Sequence, residues 1–121
     1  MLINLSNHPS DKWSQKQLVA AQQFGKIVDM PFPPIDPILD VSDVILLVNE
    51  FQNKIQQLSI SNQEPLTVHI VGEFTFTHAL VNRLKIAGIC CVASTTRRNV
   101  VDNPDGTKIT NFEFVRFREY F

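Results

Sequence analysis

The sequence predicts an α/β domain of Rossmann-like, three-layer build: a mostly parallel sheet between helices, with a C-terminal antiparallel β-hairpin. Three observations carry this. In residues 66–87, LTVHIVGEFTFTHALVNRLKIA, a β-rich run stops at Gly72 and apolar residues then recur at Phe76, Leu80, Leu84 and Ala87, the spacing of one helix face. Two similar strand-then-helix stretches precede it. After it, Asn103-Pro104-Asp105-Gly106 marks a turn between residues 99–102 and the strand Thr107 to Phe117.

A chain of 121 residues is enough for one core and too short for two ordinary ones, so a single domain is expected over residues 1–121. There is no 18-residue apolar run, and the start MLINLSNHPS lacks the basic segment and apolar block of a secretory signal. The expectation is a soluble, cytoplasmic protein with no membrane partner. Cys90 and Cys91 are adjacent in a strand-like run, so their side chains point to opposite faces and read as structural thiols. The scattered His8, His69 and His78 have no paired-ligand spacing, so neither a metal nor another cofactor is expected. His69, mid-strand, and His78, on a helix, read as satisfied structural histidines.

The net charge of −1 hides an asymmetry. Residues 1–82 carry eight acids against four lysines, whereas residues 83–121 carry four acids against seven bases, including all five arginines. Planar guanidinium groups suit phosphate, and so short a basic segment fits a small anionic ligand better than duplex DNA. The competing reading is that these arginines only solvate a helix and a hairpin.

From the N-terminus, Leu2–Leu5 reads as a strand running into the polar loop Ser6-Asn7-His8-Pro9-Ser10. Ser14 followed by Gln17 is a capping-box pattern opening a helix that should end at Gly25. Trp13, just before it, is either a staple onto that helix or a stacking platform. Lys26–Met30 is a second strand, and four prolines between Pro31 and Pro37 keep the next segment extended. Ser42 or Asp43 is expected to cap a helix with the stripe Val44, Leu47, Val48, Phe51, Ile55 and Leu58. Thr75 is the expected cap of the helix after Gly72, and Gly88 follows that helix. Ile89–Ala93 then reads as a strand covered on both faces, emptying into a loop, Ser94 to Asn99. In the terminal hairpin, strict alternation places Phe112 with Phe114 on one face and Val115 with Phe117 on the other.

Right-handed crossovers imply the strand order second, first, third, fourth, with the hairpin at the far edge. Ligands of such sheets bind beyond the carboxyl ends of the strands where the order reverses. Three loops would meet there, Ser6-Asn7-His8, Gly72-Glu73-Phe74-Thr75 and Ser94-Thr95-Thr96-Arg97-Arg98. They combine hydroxyl and amide donors, two guanidinium groups, one imidazole and one carboxylate.

With strand-end loops SNHPS, GEFT and STTRR and a hairpin suited to pairing subunits, the chain resembles the small stand-alone Csx-type proteins of type III CRISPR loci, the CARF-like ring-nuclease families. The resemblance implies a homodimer that binds cyclic oligoadenylate, expected to be the tetra-adenylate ring, across its two-fold axis. It implies a metal-independent phosphodiesterase in which a ribose 2′-hydroxyl attacks the neighbouring phosphate. On this sequence the catalytic positions would be His8 and Arg97. The ligand-binding positions would be Ser6, Asn7, Gly72, Glu73, Thr75, Ser94, Thr95, Thr96 and Arg98. Two rivals stand beside it: a protein that sequesters the ring without cutting it, and a structural partner docking through its Phe-rich hairpin.

Overall fold

The computed structural model describes residues 1–121. In chain order the elements are β1 (Leu2–Ser6), α1 (Gln15–Ala21), β2 (Ile27–Pro31), α2 (Val41–Ser61), β3 (Thr67–Val71), α3 (Phe74–Ile86), β4 (Cys90–Asp102) and β5 (Lys108–Glu119). They form one five-stranded sheet in the order β2-β1-β3-β4-β5, parallel through β4 and antiparallel between β4 and β5. The reversal expected between the first and third strands is present. No helix is long and apolar enough to cross a membrane.

Side-chain alternation divides the sheet into two apolar clusters. Ile3, Leu5, Val68, Ile70 and Cys91 pack with Val44, Val48, Phe51 and Ile55 of α2 and with Phe76, Leu80 and Leu84 of α3. The other cluster joins Leu2 and Val92 to Trp13 and Ala21, with Cys90 and Phe117 packed against it. Both cysteines are free and lie on opposite faces, and burial pushes the Cys91 thiol up to about 12, the range of an inert core thiol.

The helix starts show which local signals were sufficient. Ser14 accepts from the Gln17 N–H at 3.2 Å, as its spacing predicts. α1 then tightens into a 3₁₀ turn before Gly25, whose φ of 87° closes it. For α2 the cap is Asp40, earlier than the expected Ser42 or Asp43: Asp43 instead sits at the third helical position and accepts from the Asp40 N–H at 3.0 Å. For α3 the cap is Glu73, two residues before Thr75. Ala87 ends that helix exposed and is not part of its buried face.

The largest departure is at β4. The segment Ser94–Asn99 is not a loop; β4 runs unbroken to Asp102, with Arg97 opposite Glu113 and Arg98 opposite Phe112. Its polarity marks a solvent-facing antiparallel ribbon, where β-branched Thr95 and Thr96 fit the ladder well. A register shift pairs Thr95 with Arg116 but Thr96 with Phe114, so Val115 is an extra residue in β5. That bulge resets the alternation: Phe114 and Phe117 meet with ring centroids 5.0 Å apart, on a shared face the strict alternation did not anticipate. Phe112 stays 69% exposed.

Gly72 has a steric rather than a conformational reason. Its φ is not positive, but a Cβ there would overlap the ring of Phe32, which closes over the end of β3. Gly72→Ala should therefore lower stability by about 1–3 kcal/mol, the cost of overpacking. Phe32→Leu in the same chain should recover part of that loss, and urea midpoints of the two single variants and the double variant would measure the coupling.

Candidate functional site

At the end of β1 the chain turns sharply, and a buried polar network holds the turn. Ser6 Oγ donates to Asn4 Oδ1 at 2.8 Å and accepts the His8 N–H at 3.2 Å. The His8 carbonyl points inward and accepts from Asn4 Nδ2 at 2.8 Å and from the Trp13 indole N–H at 3.0 Å. Asp29 of β2 ties down the far side, accepting from Asn4 Nδ2 at 2.8 Å and from the Ser10 N–H and hydroxyl at 3.0 and 2.8 Å. Burial acts to raise the Asp29 carboxyl, but the hydrogen bonds from Asn4 and Ser10 outweigh it and hold the group below its ordinary value.

The network crosses the sheet through His69. Its Nδ1 lies 2.9 Å from Asn4 Oδ1 and its Nε2 lies 3.1 Å from Ser94 Oγ on β4. The residue is only 2% exposed, and Trp13 and Phe117 stand edge-on to its ring at centroid distances of 5.5 and 5.4 Å. Burial, with a smaller contribution from the charge of nearby His8, pushes the imidazole down to about 4. His69 is thus neutral at physiological pH.

Above this network opens a cleft of about 760 Å³. Asn7, His8 and Pro9 form one rim, and Lys12, Lys16 and Gln17 of the α1 approach form the next. His69, Val71, Ser94 and Thr96 lie at the sheet side, and Asn99, Asn111, Phe112 and Phe114 of the hairpin close the far wall. Amide side chains, aromatic faces and two ammonium groups therefore surround one space, a set suited to a planar polar ligand carrying negative charge. The acid at the rim is Glu113, 3.9 Å from Lys16, while Lys12 has no ion-pair partner. No three His, Cys, Asp or Glu side chains converge on a point.

The structure brings Asn7, His8, Ser94 and Thr96 to this cleft and distributes the other sequence-derived positions elsewhere. Ser6 is buried beneath the loop. The Thr95 hydroxyl donates to the Arg116 carbonyl at 3.1 Å, and the residue borders a separate shallow depression with Ala93 and Tyr120. Arg97 and Arg98 are exposed on β4, outside the cleft and free of ion pairs. Gly72, Glu73 and Thr75 lie outside it as well. The Glu73 carboxylate accepts from the Phe76 and Thr75 N–H groups at 2.8 and 3.0 Å, occupying the α3 N-terminus, and those bonds, the one from Phe76 foremost, lower its pKa.

Trp13 is neither a simple staple nor an open platform: its indole binds the loop and its ring shields His69. Sequence reasoning missed Lys12, Lys16, Gln17, Asn99, Asn111 and the connecting role of His69. The one legible signal was Asn4, a polar residue within the apolar run of β1 that required a buried partner. His78 is exposed on α3, beside Asn82 at 3.2 Å.

The cleft lies at the carboxyl ends of a mostly parallel sheet in an α/β domain, beside the point where strand order reverses, which is where open sheets of this kind take their ligands. The family model of the uncharacterized protein MJ1673 family matches residues 1–118, and the chain belongs to that family. No curated protein matches the sequence.

His69 makes a pH signature. The unfolded chain takes up a proton near 6.5, the folded protein only at about 4, so the unfolded state binds more protons between those values. Stability should fall as pH drops from 6.5 towards 4, by up to about 1.4 kcal/mol per unit, and then level off with respect to this group. Asp29 and Glu73, whose pKa values are lowered, act at more acid pH, so the stretch from about 6.5 to 5 reports His69. Denaturant titrations should show that slope in the natural protein and its loss in His69→Gln.

Proposed function

We propose that the protein is a Rossmann-like, three-layer domain that binds cyclic oligoadenylate as a homodimer, with cyclic tetra-adenylate as the expected ring. It opens the ring by attack of a ribose 2′-hydroxyl on the adjacent phosphate, as in the ring nucleases that switch off type III CRISPR signalling. The observation that carries the reading is the cleft at the sheet reversal: it is bordered by Lys12 and Lys16, whose ammonium groups suit phosphate oxygens, and by Phe112 and the amides of Asn7, Asn99 and Asn111, which suit bases and riboses.

The cleft of about 760 Å³ is open to solvent on one side, and in the proposed homodimer two copies of it share the ring. The hairpin offers the dimer surface: Val100, Val101, Ile109 and Phe112 are exposed along it. Arg97 and Arg98, outside the cleft of their own chain, meet the ring from across the two-fold axis in such a dimer. The attacking hydroxyl belongs to the ligand, so the protein aligns it in line with the scissile bond and neutralises developing charge. His8, exposed on the rim and with no hydrogen bond to its ring, serves as the acid or base.

Light scattering at micromolar concentration should give about twice the chain mass of 13.8 kDa, and Phe112→Lys should shift it towards the monomer. Labelled cyclic tri-, tetra- and hexa-adenylate, incubated with and without EDTA, should show cleavage of the tetra-adenylate to products ending in 2′,3′-cyclic phosphate, at a rate EDTA does not change. His8→Ala should slow cleavage by roughly 10²–10⁴-fold at near-normal affinity, and Arg97→Ala and Arg98→Ala should weaken binding at nearly unchanged stability. A ring held tightly but intact over hours would assign the protein to sequestration, and no binding at all would sink the reading.

A further inference from the structure

We infer that Ser94 and His69 form a nucleophile–base pair on the sheet side of the cleft, oriented by Asn4, that attacks phosphoryl centres. This pair is independent of the cyclic-oligoadenylate reading, in which the ligand supplies its own nucleophile and His8 handles the proton.

The argument rests on proton positions that the network determines. Asn4 Nδ2 faces the His8 carbonyl and the Asp29 carboxylate, groups that only accept, so the amide cannot be turned over. Asn4 Oδ1 therefore faces His69 Nδ1 and requires a donor there, so the ring carries its proton on Nδ1. Nε2 is left with its lone pair towards Ser94 Oγ, 3.1 Å away, and the serine proton lies on that line. Ser94 Oγ makes no other protein hydrogen bond and borders the cleft, so its remaining lone pairs are open to a ligand. A hydroxyl bonded to a neutral imidazole whose other nitrogen is held by a third group is the arrangement that activates serine nucleophiles. An amide stands here where hydrolases of that type place a carboxylate. Asp29, hydrogen-bonded to the same amide, polarises it so that Oδ1 bears more negative charge towards the ring.

The surroundings select the electrophile. Ser94 lies within β4, paired with Phe117, and not at a turn into a helix where free backbone N–H groups would gather as an oxyanion hole for acyl transfer. The charged donors bordering the same cleft are the ammonium groups of Lys12 and Lys16, which match phosphoryl oxygens. In the step itself, Ser94 Oγ forms a bond to phosphorus and the bond from phosphorus to the leaving oxygen breaks. The serine proton passes to His69 Nε2 and from there to the departing alkoxide. Attack of water on the phosphoserine, with His69 taking and returning a proton, would regenerate the hydroxyl.

Diisopropyl fluorophosphate tests the pair without a natural substrate: Oγ displaces fluoride at phosphorus and the proton goes to His69. Mass spectrometry of the intact protein and of its peptides should show one adduct per chain, on Ser94. Ser94→Ala should abolish it, and His69→Gln should slow labelling by at least about 10²-fold. Should His69→Gln fail to fold, the imidazole ¹⁵N spectrum of the natural protein decides: a protonated Nδ1 with a bare Nε2 agrees with the pair, and a protonated Nε2 overturns it. No adduct on Ser94, or equal labelling rates in a folded His69→Gln, would also overturn it. Ring cleavage enters none of these readouts, so labelling of Ser94 in a protein that ignores cyclic adenylates would reject the proposed function and leave the pair standing.

Discussion

A carboxamide within β1 organises the end of the sheet that carries the cleft. Asn4 is 1% exposed, and each of its polar atoms would cost on the order of 1–3 kcal/mol if left without a partner in that environment. It meets the need by joining four elements. Its nitrogen binds the His8 carbonyl in the β1 loop and Asp29 on β2, and its oxygen takes Ser6 on its own strand and His69 on β3. The loop that rims the cleft is therefore held by its backbone carbonyl, leaving the His8 imidazole exposed. The same amide sets the tautomer of His69 and, through it, the direction of the Ser94 proton.

Around this network the chain separates apolar packing from polar work by the pleat of the sheet. On one face, β1, β3 and β4 contribute Ile3, Leu5, Val68, Ile70 and Cys91 to the cluster beneath α2 and α3. On the other, apolar Leu2 and Val92 flank the polar line Asn4, His69 and Ser94, and Trp13 and Phe117 shield it. The bulge at Val115 belongs to the same design, because it turns Phe117 to the side of Phe114 and against the His69 ring. Exclusion of water there keeps the imidazole neutral and gives its two hydrogen bonds more weight than they would have at the surface.

The β4–β5 ribbon extends past the parallel strands and serves two ends at once. Its inner part supplies a wall of the cleft through Asn99, Asn111, Phe112 and Phe114. Its outer part leaves Val100, Val101 and Ile109 exposed and carries the unpaired guanidinium groups of Arg97 and Arg98. The apolar side chains and the positive charge of the ribbon thus lie on its outer part, beyond the cover of the helices.

By itself the sequence determined what short-range physics controls. The period-2 and period-3.6 patterns placed most of the strands and helices, Ser14 and Gly25 bounded the first helical segment, and right-handed crossovers led to the observed order of the parallel strands, β2-β1-β3-β4. The rest depended on contacts between residues far apart in the chain. Whether Ser94–Arg98 formed a loop or a strand was decided by a partner, β5, that satisfies its backbone. The glycine at position 72 answers to Phe32, forty residues earlier, and the α3 N-terminus is filled by Glu73 because that carboxylate folds back on the first turn. The cleft followed the same rule. Asn7 and His8 were legible because they follow the end of β1, and Ser94 and Thr96 because they are the polar residues after the apolar run Ile89–Ala93, whereas Lys12, Lys16, Asn99 and Asn111 reach it only through the docking of α1 and the register of the hairpin. Periodicity says which face a residue takes, and only packing says what stands opposite it.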